Sequence, residues 1–215
     1  MAWNQIDLLK THKITIADPN QMKMLLIWMN HYQPKIGISK KYEQAKLSDF
    51  KKEYSEALSK KESLLIQGTI GSGKTHLLCA MTRHIAEKHL FKKFISKSIP
   101  GEALRVRYVS FPDLLNTIRN SFTRIANQED YINILQFMNY LFLDDIGAEN
   151  TTEWTNEILY RILDSRINDN LPTVVSSNLS LAEIKKRNGD RIASRISGFR
   201  GLKLDGIDRR LKKSV

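Results

Sequence analysis

The sequence predicts an α/β fold, a parallel sheet flanked by helices. Short apolar runs alternate along the chain with segments of helical periodicity, the pattern of strands joined by crossover helices. One such run, Asn139 to Asp145, is apolar through its middle and ends in two carboxylates, as a buried parallel strand opening on a ligand crevice would. A glycine-rich stretch, Gly68 to Thr75, joins the end of another run to the start of a helical pattern.

Taken in chain order, the first element is a helix opened by Asp18 as cap and Pro19 at its first position. It carries Met22, Met24, Leu25, Leu26, Ile27, Trp28 and Met29, so apolar residues occupy almost its whole circumference. A solitary surface helix has no such composition, and something must cover this one. Either the chain's own core does so, or a partner protein docks on a methionine-rich face that includes Met24, Leu25 and Trp28. Residues 33–46, polar and lysine-rich with Pro34 and Gly37, read as a linker. The expected division is an extension over residues 1–45 and a larger domain over 46–215.

Within the larger domain, Ser63 to Gln67 is the first strand and His76 to Leu90 the helix after it. Pro100-Gly101 marks a loop over 95–101. A strand follows at Arg105 to Ser110, then helical patterns at Pro112 to Phe122 and Glu129 to Met138, then the strand ending at Asp145. A long helix, Thr152 to Asn168, leads into a strand from Pro172 to Asn178, and short helical segments follow at Leu181 to Arg187 and Arg191 to Ile196.

The stretch Gly-Thr-Ile-Gly-Ser-Gly-Lys-Thr fits G-x-x-x-x-G-K-[ST] between a strand and a helix, the context that the motif needs. Gly68, Gly71 and Gly73 let the backbone turn so that successive N–H groups, including those of Thr69, Ile70 and Ser72, point at a triphosphate. The helix that follows presents its positive end to the same anion. Lys74 supplies a point charge between the β- and γ-phosphates, and Thr75 a hydroxyl for Mg²⁺. Asp144 then holds Mg²⁺ through water, and Asp145 orients or deprotonates the attacking water. A lone aspartate there could be an ordinary strand-end cap. Two of them downstream of a phosphate loop point to ATP with Mg²⁺ as the ligands.

Composition narrows the class further. No apolar run approaches the ~18 residues needed to span a bilayer, and the N-terminus lacks a basic segment followed by an apolar one, so a cytoplasmic protein is expected. The single cysteine, Cys79, lies among Leu77, Leu78 and Met81, and reads as a packed thiol in a reducing compartment. The formal net charge of +11 is uneven: from Lys185 to Val215 there are eleven Lys or Arg against three acids. Such clustering favours a polyanionic partner, nucleic acid first, although charge alone does not separate DNA from RNA.

Gly68-Thr-Ile-Gly-Ser-Gly-Lys-Thr-His-Leu-Leu, Leu143-Asp-Asp-Ile-Gly-Ala-Glu149, Pro172-Thr-Val-Val-Ser-Ser-Asn178 and Arg191-Ile-Ala-Ser-Arg195 together resemble the bacterial helicase loaders of the DnaC/DnaI type. These are AAA+ ATPases related to the initiator DnaA and the transposition helper IstB. The resemblance runs from about Tyr42 to Arg210, and the Asp-Asp-Ile-Gly-Ala-Glu string is its most specific part. It implies an AAA+ P-loop NTPase core; the residues themselves add the expectation of a short helical N-terminal extension and, with few residues after Arg210, little or no C-terminal lid. It also implies a hexameric DnaB-type replicative helicase and single-stranded DNA as partners, and self-association of ATP-bound copies.

By resemblance, Asn178 is the sensor that positions water against the γ-phosphate. Arg195 looks like the arginine finger for a neighbouring subunit, with Arg191 the fallback, and Arg209 resembles part of an arginine-bearing terminal motif that meets the nucleotide. The helical patterns over Pro112 to Met138 occupy the place of an insertion that faces single-stranded DNA, with Arg119 and Arg124 for phosphates and Phe122 for stacking. Phe122 could equally be a core residue.

Two departures stand out. Most AAA+ motors close the acidic strand with Asp-Glu, whereas position 145 is an aspartate, one methylene shorter. The N-terminal region has no cysteine-based zinc site such as some relatives carry. The rival readings are an IstB-like transposition helper acting on duplex DNA, a small-molecule kinase built on the same loop, and a nucleotide-regulated adaptor with negligible hydrolysis.

Overall fold

The structure, a computed structural model, describes residues 36–96, 105–120 and 125–204. Its strands are β1 Leu64–Gln67, β2 Val106–Ser110, β3 Tyr140–Ile146, β4 Thr173–Ser177 and β5 Arg200–Lys203. All pair in parallel, in the order β2-β3-β4-β1-β5. The helices among the described residues are α1 Lys52–Ser59, α2 Lys74–Ser96, α3 Phe111–Asn120, α4 Ile125–Gln136, α5 Glu153–Asn168, α6 Leu181–Asn188 and α7 Asp190–Ser197. Short 3₁₀ turns at Lys40–Tyr42 and Leu47–Asp49 precede them.

Successive side chains of a strand point to opposite faces. Leu65, Leu141, Leu143 and Val175 therefore meet one core, with Phe111, Leu114 and Ile118 of α3, Ile158 and Ile162 of α5, and Ile192 and Ile196 of α7. Leu64, Ile66, Phe142 and Val174 meet the other, with Tyr54 and Leu58 of α1 and Leu77, Leu78 and Met81 of α2. Both faces are covered, which is why the strands read as unbroken apolar runs.

Several boundaries differ from expectation for identifiable reasons. The helix after the loop starts at Lys74 rather than His76, because the Gly-Lys-Thr of the loop is its first turn. α5 begins where expected, since Thr152 and Thr155 form a reciprocal capping box. β5 carries no apolar pattern: only Leu202 of its four residues is buried, as on an edge strand. α1 likewise escaped the sequence reading. The polar stretch expected as a linker packs on the core from Ile36 onward. Ile36 and Ala45 are buried, the Tyr42 ring lies 6.0 Å from that of His76, and Arg83 donates to the Glu43 carbonyl at 2.6 Å. The helix containing Met24, Leu25 and Trp28 lies outside the described residues.

One charged side chain sits at the centre of this arrangement. Arg166 of α5 is fully buried, and the acceptors it bonds are all neutral. Its Nη1 donates to the carbonyls of Leu135 (2.9 Å), Gln136 (3.2 Å) and Met138 (2.7 Å). Its Nη2 donates to the carbonyl of Pro172 (2.8 Å), and its Nε to the hydroxyl of Thr173 (2.8 Å). Burial pushes the guanidinium down to about 10, so it stays cationic at neutral pH. The group caps the exposed carbonyls at the end of α4 and fixes the entries of β3 and β4 against each other. On the rim nearby, Arg161 of α5 holds Glu129 of α4 with two bonds, 3.0 and 2.6 Å.

Arg166→Met keeps the volume and removes every one of these bonds. The expected cost is at least about 3 kcal/mol, since several buried acceptors lose their donor together. Urea unfolding checks it, and a loss under about 1 kcal/mol would mean that water replaces the guanidinium.

Candidate active site

In the observed order β1 lies beside β4 and β4 beside β3, so the carboxyl ends of these three strands are neighbours. The phosphate-type loop leaves β1, Asn178 follows β4, and Asp144 and Asp145 lie on β3. A cleft of about 520 Å³ opens there, a size suited to a small molecule. The loop lines it with Ile70, Gly71, Gly73, Lys74 and Thr75. Gly71 and Gly73 hold φ of +80° and +99°, conformations that only glycine adopts at little cost. Lys74, almost fully buried, donates from Nζ to the carbonyls of Gly68 and Thr69, each at 2.9 Å, and to Asn178 Oδ1. Two residues 104 positions apart thus meet at one point of the cleft.

The carboxylates are set by a bulge. Leu143 pairs with Val175 and Ile146 with Ser177, so two residues of β3, Asp144 and Asp145, face Ser176 alone. Asp145 takes up the extra length at φ +57°, a left-handed conformation that Asp tolerates better than most residues. Ser176 pins both residues: its Oγ accepts from the Asp145 N–H at 3.0 Å and donates to Asp144 Oδ1. The Tyr108 hydroxyl donates to Asp144 Oδ2 at 2.8 Å. Burial, and then the Asp144 charge, push the Tyr108 phenol far up, so it remains a donor. Asp144 is buried behind the cleft, whereas Asp145 lines it.

The Thr75 hydroxyl and the Asp144 carboxylate are hard oxygen donors of the kind that suits Mg²⁺, which binds through one or two carboxylates and keeps its remaining positions for water and phosphate. Burial, then Asp144, also push the Cys79 thiol up, which removes it as a nucleophile.

Lys41, Tyr42 and His76 line the cleft as well. None of them, nor Ser176 or Tyr108, was expected from sequence as part of the site. The one available signal was the pair of hydroxyls in Val-Val-Ser-Ser-Asn, polar groups inside an otherwise apolar strand.

The predicted arginines are elsewhere. Arg195 pairs with Asp164 at 2.5 Å and donates to the Tyr160 hydroxyl at 3.4 Å, while the Arg191 guanidinium lies 4.0 Å from the centre of the Tyr160 ring. Neither lines the cleft described above. Arg119, exposed at the end of α3, rests 5.1 Å over the ring of Trp154. Phe122, Arg124 and Arg209 lie outside the described residues. Part of the basic C-terminal stretch is committed within the chain, with Lys185 on Asp190 at 3.0 Å and Arg200 on Glu62 at 2.9 Å.

The family described as the bacterial DnaA ATPase domain matches residues 37–205. Over 140 residues the chain is 33% identical to the replicative helicase loader DnaI of Bacillus subtilis (strain 168), covering 65% of this chain and 40% of that protein. The chain thus spans well under half the length of that relative. Among solved structures, the DnaC helicase loader aligns with a TM-score of 0.61 at 22% identity, over 78% of this chain and 100% of that one. AMPPCP-bound DnaA from Aquifex aeolicus aligns with a TM-score of 0.62 at 21% identity, over 78% of this chain and 50% of that one. The fold is the AAA+ P-loop fold of these neighbours.

Ser176→Ala removes both bonds that pin the bulge while leaving the phosphate loop untouched. Nucleotide affinity is expected to stay within about threefold and turnover to fall about tenfold or more, a loss of roughly 1.4 kcal/mol in the transition state. Titration with a fluorescent ATP analogue and a phosphate-release assay separate the two effects.

Proposed function

The chain belongs to the bacterial DnaA ATPase-domain family and resembles the DnaC/DnaI-type helicase loaders, and on that premise we propose that it is an ATP-dependent loader. It binds a hexameric DnaB-type replicative helicase and helps to place it on single-stranded DNA. The observation that carries the reading is the meeting of Lys74 and Asn178 beside Asp145, a loop cation, a sensing amide and a carboxylate in one cleft.

ATP sits with its β- and γ-phosphates on the N–H groups of residues 68–75 and on Lys74, which exchanges carbonyl partners for phosphate oxygens. Thr75 and Asp144 are the residues that would hold Mg²⁺, which would neutralise phosphate charge there. Asp145 takes a proton from the attacking water as its oxygen bonds to the γ-phosphorus, and Asn178 orients that water. The bond from the γ-phosphorus to the bridging oxygen breaks, and ADP leaves with the electron pair. Arg195, with Arg191 beside it, reaches the nucleotide of a second copy and stabilises the charge that develops there. Its place away from its own cleft is in keeping with that role. Arg209 joins the nucleotide from the C-terminal motif. Turnover is slow until DNA or assembly completes the site, so nucleotide state governs the grip on the helicase.

The N-terminal extension docks on the helicase through Met24, Leu25 and Trp28, and the ATPase domain takes in the stretch from Ile36 that packs on its core, ten residues before the boundary expected at 45/46. Arg119 and Arg124 contact DNA phosphates and Phe122 stacks on a base. The exposure of Arg119 on α3 supports this. A cytoplasmic location fits these partners, and no helix among the described residues is long and apolar enough to cross a membrane.

Lys74→Ala is expected to abolish ATP binding, because the loop loses its only side-chain cation. Asp145→Asn is expected to keep ATP binding and lower turnover about a hundredfold or more, the usual size of a lost general base. Equal loss of binding in both variants would count against these roles.

The full chain with ATP is expected to co-purify with a hexameric replicative helicase, and the Leu25→Asp/Trp28→Ala variant to release it. Capture of a transposase in place of the helicase moves the assignment to a transposition helper.

A further inference from the structure

Glu149 is a buried carboxylate that the mechanism above leaves unused. It closes the string Asp144-Asp145-Ile146-Gly147-Ala148-Glu149 and is 5% exposed. A carboxylate taken out of water needs donors. Glu149 Oε2 accepts from the Gly147 N–H at 2.7 Å, on its own loop. Glu149 Oε1 accepts from the Asn188 side-chain amide at 3.2 Å. The same Asn188 nitrogen donates to Asn156 Oδ1 of α5 at 3.0 Å.

Asn188 ends α6, Gly189 turns the chain at φ +90°, and α7 starts at Asp190 with Arg191 and Arg195 on its first two turns. Arg187 strengthens the same junction, donating to the Glu149 carbonyl at 2.6 Å and the Thr151 hydroxyl at 3.1 Å. The loop also touches the segment after β4. Gly147 is at φ +82°, and a Cβ there would stand 2.5 Å from Leu179 Cδ1. The segments that carry Asp145, Asn178 and the two arginines therefore meet around the short loop from Gly147 to Glu149.

We infer that Glu149 and Asn188 form a positioning pair for the arginines of α7. The pair fixes the direction in which α7 leaves the β3 loop, so that Arg191 and Arg195 are presented to a second copy of this chain in a set orientation relative to Asp145. This rests on the proposed action of Arg195 between subunits. The chemistry asks for an acid at 149, since two neutral donors, the Gly147 N–H and the Asn188 amide, converge on its two oxygens. A glutamine would turn an NH₂ group toward one of them.

The test mixes two chains. Lys74→Ala cannot use its own cleft and supplies only arginines, whereas Arg195→Ala supplies only a working cleft. Hydrolysis restored by mixing the two is the baseline. Glu149→Gln added to the Lys74→Ala chain is expected to cut the restored rate about tenfold or more. Adding Asn188→Asp to that chain, which reverses the donor and acceptor, is expected to recover the rate to within about threefold of baseline. Glu149→Gln added to the Arg195→Ala chain is expected to leave the restored rate within about twofold.

A merely structural role would lower the rate from either chain. Equal loss from both chains, or no loss from the arginine supplier, overturns the positioning role while leaving the baseline standing. Absence of hydrolysis in the baseline mixture overturns the action of Arg195 between subunits, and the positioning role falls with it. If the Glu149→Gln chain does not fold, Asn188→Ser shortens the bridge but keeps Glu149 on Gly147, and the same asymmetry between the two chains decides.

Discussion

Every strand in this sheet runs the same way, so each must be re-entered from the same end by a helix that crosses a face. That constraint puts both faces under helices and leaves the carboxyl edge as the place where polar side chains can face a ligand. The order β2-β3-β4-β1-β5 then decides which polar groups are neighbours there. Lys74, Asn178 and Asp145 come from distant parts of the chain, and the adjacency of β1, β4 and β3 brings them to one cleft. The apolar packing on each side of the sheet stabilises the domain, and the edge that it leaves over carries the chemistry.

The bulge in β3 resolves a conflict within that edge. A regular strand would send Asp144 and Asp145 to opposite faces. Here the extra residue lets Asp144 stay buried on hydroxyls while Asp145 turns into the cleft. The left-handed backbone at Asp145 costs roughly 1 kcal/mol or more, and the Ser176 hydroxyl offsets part of that by accepting the Asp145 N–H. Strain of this kind, held at the base of a cleft by neighbours, is typical of a site whose geometry is set before its ligand arrives.

Legibility in the sequence followed the range of the interactions. The loop Gly68 to Thr75 and the pair Asp144-Asp145 are contiguous, and their residue types state their chemistry at once. Strand interiors were legible because burial on both faces removes polar residues from them. Ser176 and Tyr108 were not, because each matters through a contact made across the sheet, 32 and 36 residues away from Asp144. Lys41 and Tyr42 read as linker since their polar surroundings gave no sign of the helix that they rest on. β5 has too little apolar content to announce itself, and it is held by pairing with β1. The clustering of Glu149 and Asn156 with Asn188 is likewise invisible in a string where Asn188 lies 39 residues from the one and 32 from the other.

Arg166 and the bridge above it respond differently to acid. Its acceptors are four carbonyls and a hydroxyl, none of which titrates in the acid range. The bridge between Arg161 and Glu129 behaves differently, since hydrogen bonding to Arg161 holds the Glu129 carboxyl below its ordinary value. A depressed carboxyl contributes stability above its unfolded pKa and loses that contribution as pH falls through the folded one. The rim between α4 and α5 therefore loosens first, while the guanidinium beneath still ties the end of α4 to the entries of β3 and β4. Acid below the ordinary carboxylate range opens this rim bridge before it reaches the ties that Arg166 makes.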